Sequence, residues 1–534
     1  MRYFNTAGPV VPEDHYCLPP LSRFDLQEAL ALIDEKKYFV LHAPRQTGKT
    51  SCLLALSNHI SNLSQYRAFY ANIERAQAAR EGIAIGIRAV VEAIADTAEW
   101  SLGDSGAPSL ALDLVMKSSP ASALARFLSQ WWRQSSKPTV LMLDEVDALI
   151  GDTLISMLRQ IREGYSNRPA AFPQSIILCG VRDVRDYRIH SSAEKAIITG
   201  GSAFNIKARS LRLGDFSREE MEALYAEHTG ETGQPFEEGA LDLAWDMTCG
   251  QPWLVNALAY ETCFQMKEGR DRSIPITREM VDTAKENLIL RRETHLDQLA
   301  DKLREERVRR VIEPILVGES FDNGFNEEDV QYVIDLGIVR RDPGGALTIA
   351  NGIYQETIPR TLSFGTQMGI TQQTAWYLSP DGRLEMPKLL AAFQEFFREH
   401  SEHWVERFDY KEAGPQLLLQ AFLQRIVNGG GRVEREYGLG RRRTELLIRW
   451  PIGGTEILPG RPVQKIVLEL KVTHGSPDGA IAEGLAQTAG YVDRCGAEAG
   501  YLLIFDRRKN VPWEEKLYHR EEQVGSHIIG VWGA

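Results

Sequence analysis

The chain has 534 residues, 43% of them hydrophobic and 25% charged, and a formal net charge of −12. That length supplies several domains with sizeable cores, and the acidity excludes indiscriminate nucleic-acid binding, so any DNA contact must come from locally basic surface. No apolar run approaches the ~18 residues needed to cross a bilayer. Met1-Arg2-Tyr3-Phe4-Asn5 lacks the basic start and apolar core of a signal peptide. The cysteines, Cys17, Cys52, Cys179, Cys249, Cys263 and Cys495, form no C-x-x-C and no zinc spacing. They read as reduced thiols, so a cytoplasmic protein without membrane association is expected.

Residues 1 to about 37 carry Pro9, Pro12, Pro19 and Pro20, then a helical segment from Phe24 to Ile33. The early part either lies over the site formed by the segment that follows or the sheet edge, or is a weakly ordered tail. The β-prone run Tyr38 to Leu41 then empties into Ala43-Pro44-Arg45-Gln46-Thr47-Gly48-Lys49-Thr50-Ser51, and helix-like sequence starts at Cys52. Strand, phosphate-sized loop and helix in that order are the context a P-loop requires. Loop amides and the helix N-terminus suit a triphosphate, with Lys49 reaching the β- and γ-phosphates and Thr50 holding Mg²⁺. Ala43 stands where the first glycine of G-x-x-x-x-G-K-[ST] belongs. Pro44 pushes its predecessor to extended φ/ψ, so Ala43 is expected to leave the strand with negative φ.

A second strand is expected over Tyr66 to Ile73, helix over Arg80 to Trp100, and another helix to about Gln134. The apolar run from Thr139 to Leu143 closes in Asp144-Glu145, a Walker B pattern. Asp144 is placed to hold Mg²⁺ through water, and Glu145 to orient or deprotonate the attacking water. The next strand, Ser175 to Val181, leads to Arg182 and Arg185, candidates for sensing the γ-phosphate. A solvated loop pairing its own arginines and aspartates accounts for the same letters. Alternating strands and helices imply a doubly wound, mostly parallel sheet with the nucleotide at its carboxyl edge.

Ala203 to Leu213 reads as a linking segment. Ser217 to Lys267 is helical, and in Gly250-Gln251-Pro252-Trp253-Leu254-Val255 the Gly-x-Pro stops one helix and starts the next, as in a lid. Thr277 to Arg310 reads as solvated helix. A helix over Glu327 to Leu336 and strands Ile338 to Arg341 and Ala346 to Ile349, turned by Asp342-Pro343-Gly344-Gly345, give a winged-helix pattern. Arg340 and Arg341 would make its DNA contact, unless the module only packs. Leu362 to Glu385 reads as linker, and Pro387 to His400 as amphipathic helix.

The pattern changes at Pro415. A leucine- and glutamine-rich helix, Gln416 to Val427, precedes strands at Arg432 to Tyr437, Glu445 to Trp450, Lys465 to Val472 and Tyr501 to Phe505. Strand alternation puts Glu469 and Lys471 on one face, and Glu445 opens the preceding strand. Two carboxylates and an ammonium are what metal-dependent phosphodiester cleavage needs: ligands for Mg²⁺, a metal-acidified water and a lysine for the developing charge. Gln487 and Tyr491 on the following helix extend the constellation. Between Arg432 and Arg449 there are six arginines against three glutamates, the local positive charge that phosphate binding would use.

On these residues the first ~365 positions resemble the AAA-like or STAND-type P-loop ATPases of bacteria, through Ala43 to Thr50, Leu143-Asp144-Glu145-Val146-Asp147 and Gly250 to Val255. From about residue 412 the chain resembles PD-(D/E)XK, restriction-endonuclease-like nucleases, through Glu445, Glu469-Leu470-Lys471, Gln487 and Tyr491. The resemblance implies an α/β multidomain chain: a P-loop NTPase parallel sheet at 1–213, a helical lid at 214–310, a winged helix at 311–365, a helical linker at 366–411 and a nuclease-like α/β domain at 412–534. It implies ATP and Mg²⁺ as cofactors, Thr50, Asp144, Glu445 and Glu469 as metal ligands, and Glu145, Glu445, Glu469 and Lys471 as catalytic groups. Nucleic acid, DNA first, is the implied partner, with homo-oligomers and an arginine finger in trans as an option. Departures are Ala43, Glu445 in place of aspartate, and Gln416, Gln420 and Gln424 where the first nuclease helix often carries glutamate. Glu434 or Glu436 would have to substitute for it. The alternative is an ATP-dependent regulatory protein whose nuclease-like domain binds nucleic acid or a partner without cutting.

Overall fold

Four mostly apolar strands of five or six residues form the inner part and one edge of the five-stranded central sheet of the N-terminal half. The computed structural model describes residues 1–135, 137–183, 188–191, 196–199, 204–291, 294–317, 326–342, 345–369, 377–405, 413–427, 431–437, 444–453, 457, 462–508 and 511–534. They form two units, Met1–Ala284 with Asp335–Gly337, and Lys285–Ile334 with Ile338–Ala534.

The first unit begins with short parallel strands β1 (Tyr3–Phe4) and β2 (His15–Tyr16) and helix α1 (Leu26–Asp34). Then come β3 (Tyr38–His42), α2 (Lys49–Asn62), β4 (Arg67–Asn72), helices α3 (Ile83–Leu102), α4 (Gly106–Lys117) and α5 (Ala123–Trp132), β5 (Thr139–Asp144), α6 (Gly151–Glu163) and β6 (Ser175–Gly180). A small antiparallel pair, β7 (Arg188–Ser191) and β8 (Ala196–Thr199), precedes β9 (Lys207–Arg212). The sheet order is β4-β5-β6-β3-β9, parallel throughout. Strand alternation sorts the apolar residues. Val40, Leu141 and Leu178 face α3, α5 and α6, while Leu41, Met142 and Ile177 face α1 and α2. The sheet is therefore wound on both faces, as the alternating pattern predicts.

One expectation changes here, and one alternative falls away. The segment from Ala203 to Leu213, read as a link, contains β9, the fifth strand. It lies at a sheet edge with Lys207, Ala208, Arg209 and Arg212 partly or fully exposed, so its composition resembles a loop. The first sixteen residues are not a loose tail. Phe4 and Tyr16 are buried against each other, 4.9 Å between ring centroids, and against Tyr225 and His228. Those partners lie on α7 (Arg218–Thr232), which starts in a Ser217/Glu220 capping box. α8 (Glu238–Thr248) follows, then α9 (Pro252–Tyr260), which opens with proline in its first turn and is capped by the Gln251 side chain accepting from Leu254 N at 2.6 Å.

Helix α10 (Arg278–Arg291) carries the chain from the first unit into the second, followed by α11 (Thr294–Lys302), α12 (Glu306–Val317) and α13 (Glu327–Asp335). Exposed pairs such as Arg310–Glu306 occur at helical spacing, but the stretch read as solvated helix also buries Val281, Lys285, Leu288, Leu296 and Leu303. β10 (Val339–Arg341) and β11 (Leu347–Ile349) pair antiparallel with Arg340 opposite Thr348, and both Arg340 and Arg341 are exposed. Pro343 and Gly344 of their turn lie outside the described residues. α14 (Gly352–Gly369) runs past Leu362, where a linker was expected, and carries Pro359 inside the helix.

A buried ion network joins α10 to α14. Lys285 Nζ lies 2.7 Å from Glu356 Oε1, and Arg360 bridges Glu286 at 2.6 Å and Glu356 at 3.1 Å. Burial pushes the Glu286 carboxyl up, but the Arg360 guanidinium more than offsets it and holds the group below its ordinary range. Arg360→Ala should therefore cost about 3–5 kcal/mol in chemical denaturation, since it strands buried carboxylates. The Glu286 share of that stability is present at neutral pH and is lost as pH falls through its lowered pKa. An unfolding midpoint unchanged by the substitution would contradict this.

The rest of the second unit is α15 (Met386–Val405), α16 (Gly414–Val427) and a six-stranded mixed sheet. Its strands are β12 (Arg432–Tyr437), β13 (Thr444–Pro451), β14 (Val463–Thr473), β15 (Ala499–Asp506), β16 (His519–Val524) and β17 (His527–Gly533), with α17 (Pro477–Cys495) between β14 and β15. The order is β12-β13-β14-β15-β17-β16, in which β14, β15 and β17 run parallel and the outer pairings are antiparallel. Leu468 and Ile504 are wholly buried, as strands of a central parallel core must be. Among the described residues no helix is long and apolar enough to cross a membrane.

Candidate nucleotide site and carboxylate–lysine site

β3 delivers the chain to Ala43, whose amide donates to Gly180 O of neighbouring β6 at 3.2 Å. Positive φ within the loop falls on Gln46 (57°) and Gly48 (87°), not on Ala43. The left-handed turn that would require glycine is therefore displaced along the loop, and alanine fits at its start. Gly48 has no such latitude. Besides its φ, an added Cβ would stand 3.0 Å from Arg23 Nη1. Lys49, the first residue of α2, is buried and curls back so that Nζ donates to Ala43 O and Pro44 O, each at 3.0 Å. Thr47 Oγ1 closes the turn on Pro44 O at 2.8 Å.

Across the cleft, Thr50 Oγ1 donates to Asp144 Oδ2 at 2.7 Å. Asp144 is wholly buried at the end of β5; its Oδ2 also accepts from Tyr70 at 3.0 Å, and its Oδ1 from the Glu145 amide at 2.9 Å. Glu145 sits in the left-handed region (φ 61°), which turns it out of the strand line. Burial, with Asp144 beside it, pushes its carboxyl up. A carboxyl displaced upward is better suited to taking a proton than one left at its ordinary value. Arg182 stands just beyond β6, while Arg185 lies outside the described residues.

Several contacts here have no motif to announce them. Tyr70 reaches Asp144 from the end of β4. Arg23, in a short turn after Pro19 and Pro20, donates to Thr47 O and Gly214 O and lies over the Phe216 ring at 4.7 Å. Gln251 Nε2 approaches Gln46 O at 3.5 Å, Trp253 Nε1 donates to Thr6 O at 2.8 Å, and the Val10 amide donates to Ser51 Oγ at 3.0 Å. The first residues, the P-loop and helices α7 and α9 thus line one pocket, with Gly8, Gln46, Ser51, Phe216 and Trp253 on its wall. Only the Gly-Gln-Pro step had a readable signal, as a helix stop and start.

In the second unit, the register sets Glu445 of β13 directly opposite Glu469 of β14, and Glu436 of β12 opposite Glu445. The side chains of Glu436 and Glu445 lie outside the described residues. Glu469 is wholly buried, and Lys471, also buried, sits two positions along β14 with Nζ 3.4 Å from Glu469 Oε1. Lys471 Nζ is also 3.6 Å from Glu483 of α17, whose Oε1 accepts from Gln487 at 2.7 Å. Glu483 was not foreseen; it lies one helical turn before Gln487. Tyr491 packs against Val467 and Val492. Gln416 and Gln420 are buried on α16, and Glu434 pairs with Arg449 at 3.1 Å. Among the described residues no three His, Cys, Asp or Glu side chains are grouped to hold a metal ion.

Parallel strands, a phosphate-sized loop at their carboxyl edge and a helix rising from it define the first unit as a P-loop nucleotide-binding fold. No family model and no curated protein matches the chain. Among solved structures it is similar to the Walker-type ATPase of Pyrococcus abyssi, with 14% identity over 66% of this chain and 98% of that one and a TM-score of 0.46. It is also similar to Cdc6p of Pyrobaculum aerophilum, with 14% identity, 65% and 94% coverage and a TM-score of 0.35. RuvB, the Holliday-junction branch-migration motor of Thermotoga maritima, has 13% identity, 60% and 89% coverage and a TM-score of 0.32.

Proposed function

We propose that the chain is an ATP-binding and ATP-hydrolysing switch that controls a Mg²⁺-dependent nuclease in its C-terminal sheet. The observation that carries the first half is the 2.7 Å bond from Thr50 to Asp144 beneath a loop whose lysine is already turned inward. A hydroxyl and a buried carboxylate held together in this way suit a hydrated Mg²⁺ shared with a triphosphate. When bound, that ion neutralises charge on the β- and γ-phosphates. Lys49 would leave Ala43 O and Pro44 O for the phosphate oxygens, Gly48 would let the backbone close on them, and Glu145 would orient the attacking water. Glu145→Gln should bind ATP within about 3-fold of wild type but lower kcat about 10²-fold or more. Unchanged steady-state hydrolysis would remove Glu145 from the mechanism.

For the second half, Glu445 and Glu469 occupy opposed positions, and Lys471 lies near Glu469 and Glu483. Carboxylates are fitting ligands for Mg²⁺, which supplies an acidified water when bound. Lys471 would steady the charge that develops on the phosphate. The helix–hairpin module with Arg340 and Arg341 exposed is read as winged helix and DNA contact, DNA as the substrate class, and assembly into homo-oligomers as the source of an arginine finger. Buried Gln416 and Gln420 in place of a helix carboxylate favour a second reading, a domain that binds nucleic acid or a partner without cutting. A cleavage assay on DNA and RNA forms with Mg²⁺ or Mn²⁺, with and without ATP, separates the two.

A further inference from the structure

We propose that Asp147 is a positioning residue of the nucleotide site, a strut that fixes the end of β6 against the first peptide of the P-loop and behind Glu145. The proposal rests on the P-loop reading and assigns a role to a residue outside the Thr50–Asp144–Glu145 set.

The side chain stands in the short turn Val146–Ala148 that follows Glu145, and its Oδ2 accepts from the Val181 amide. The preceding residue of β6, Gly180, passes its carbonyl to the amide of Ala43 at 3.2 Å. Ala43 O in turn accepts from Lys49 at 3.0 Å. A continuous relay of hydrogen bonds and single peptides therefore runs from the Walker B turn to the P-loop lysine, with Asp147 at its origin. The fit leaves no slack. A Cβ on Gly180 would come 2.8 Å from Asp147 Oδ1 and 3.0 Å from Oδ2, far inside contact distance. Asp147 Oδ1 is shut off from solvent and accepts no hydrogen bond among the described residues. Burial pushes this carboxyl up, against the pull of the Val181 amide, Lys49, Arg182 and Arg45. A buried acceptor without a hydrogen bond costs stability, so its retention here is read as serving position.

Phosphate is held by loop amides and Lys49, whereas Asp147 supports the turn carrying Glu145 and the exit carrying Arg182. Its loss should act on turnover more than on binding. In the full-length protein, Asp147→Asn keeps an acceptor for Val181 but replaces the second oxygen with a donor. We expect kcat for ATP to fall about 10-fold or more while KM stays within about 3-fold. Gly180→Ala, which leaves every charge in place and only displaces the carboxylate, should show the same split. If Asp147→Asn does not fold, Gly180→Ala decides alone. A kcat within about 2-fold of wild type in the folded variants overturns the proposal, as does a rise in KM with kcat unchanged. Wild-type protein that neither binds nor hydrolyses ATP overturns the P-loop reading and this inference with it. Wild-type hydrolysis with silent variants overturns this inference alone.

Discussion

Lys49→Ala should abolish ATP binding at micromolar nucleotide, weakening affinity by about 10- to 150-fold. The ammonium is buried and, among the described residues, donates hydrogen bonds to the carbonyls of Ala43 and Pro44. Exchanging those neutral acceptors for charged phosphate oxygens is a net gain of about 1.5–3 kcal/mol, and about 1.4 kcal/mol is tenfold in affinity. The alanine variant forfeits that gain and leaves two carbonyls at the loop without their donor. Two measurements check it: titration with a fluorescent ATP analogue, and the ATP-dependent rise in melting temperature, which should vanish in the variant. ATP-dependent stabilisation equal to wild type would overturn the assignment of the loop.

The second large effect is expected at the other end of the chain. Lys471→Ala should lower metal-dependent cleavage by about 10³-fold while leaving ATP hydrolysis unchanged. Lys471 Nζ stands between Glu469 at 3.4 Å and Glu483 at 3.6 Å, inside the sheet–helix packing. Alanine leaves the buried Glu469 without that ammonium, so the melting curve must be recorded beside the assay to separate lost chemistry from lost fold. Wild-type protein that cuts neither DNA nor RNA with Mg²⁺ or Mn²⁺, with or without ATP, would sink the nuclease reading. Activity that arises only on Glu445→Asp would mark the site as degenerate.

What was legible in the sequence was what short range encodes. The run from Tyr38 to Ser51 announces strand, loop and helix because neighbours in the chain are neighbours in space. The run from Thr139 to Glu145 announces a buried strand ending in acid for the same reason. β9 was not legible, because Lys207, Arg209 and Arg212 give an edge strand the composition of a loop. β16 and β17 were passed over as well: the charged run Arg520-Glu521-Glu522 disguises a strand whose pairing partner supplies the apolar face. Long-range contacts left a trace only where a motif carried it, as for Thr50 and Asp144. Nothing near Arg23, Tyr70 or Glu483 marks a partner 24, 74 or 12 positions away. The register that opposes Glu445 and Glu469 is likewise a property of the folded sheet.

The grip on consecutive P-loop carbonyls, Thr47 O from Arg23 and Gln46 O at 3.5 Å from Gln251, has a thermodynamic consequence. Those two carbonyls are tied back by the protein, which leaves the amides of the loop to face a ligand. The conformational freedom of the loop is surrendered at folding, before any nucleotide arrives, so ligand binding need not bear that entropy loss. Dissociation then becomes the step most sensitive to the two grips: loosening either side chain would shorten the residence time of the nucleotide before it changed how fast one arrives.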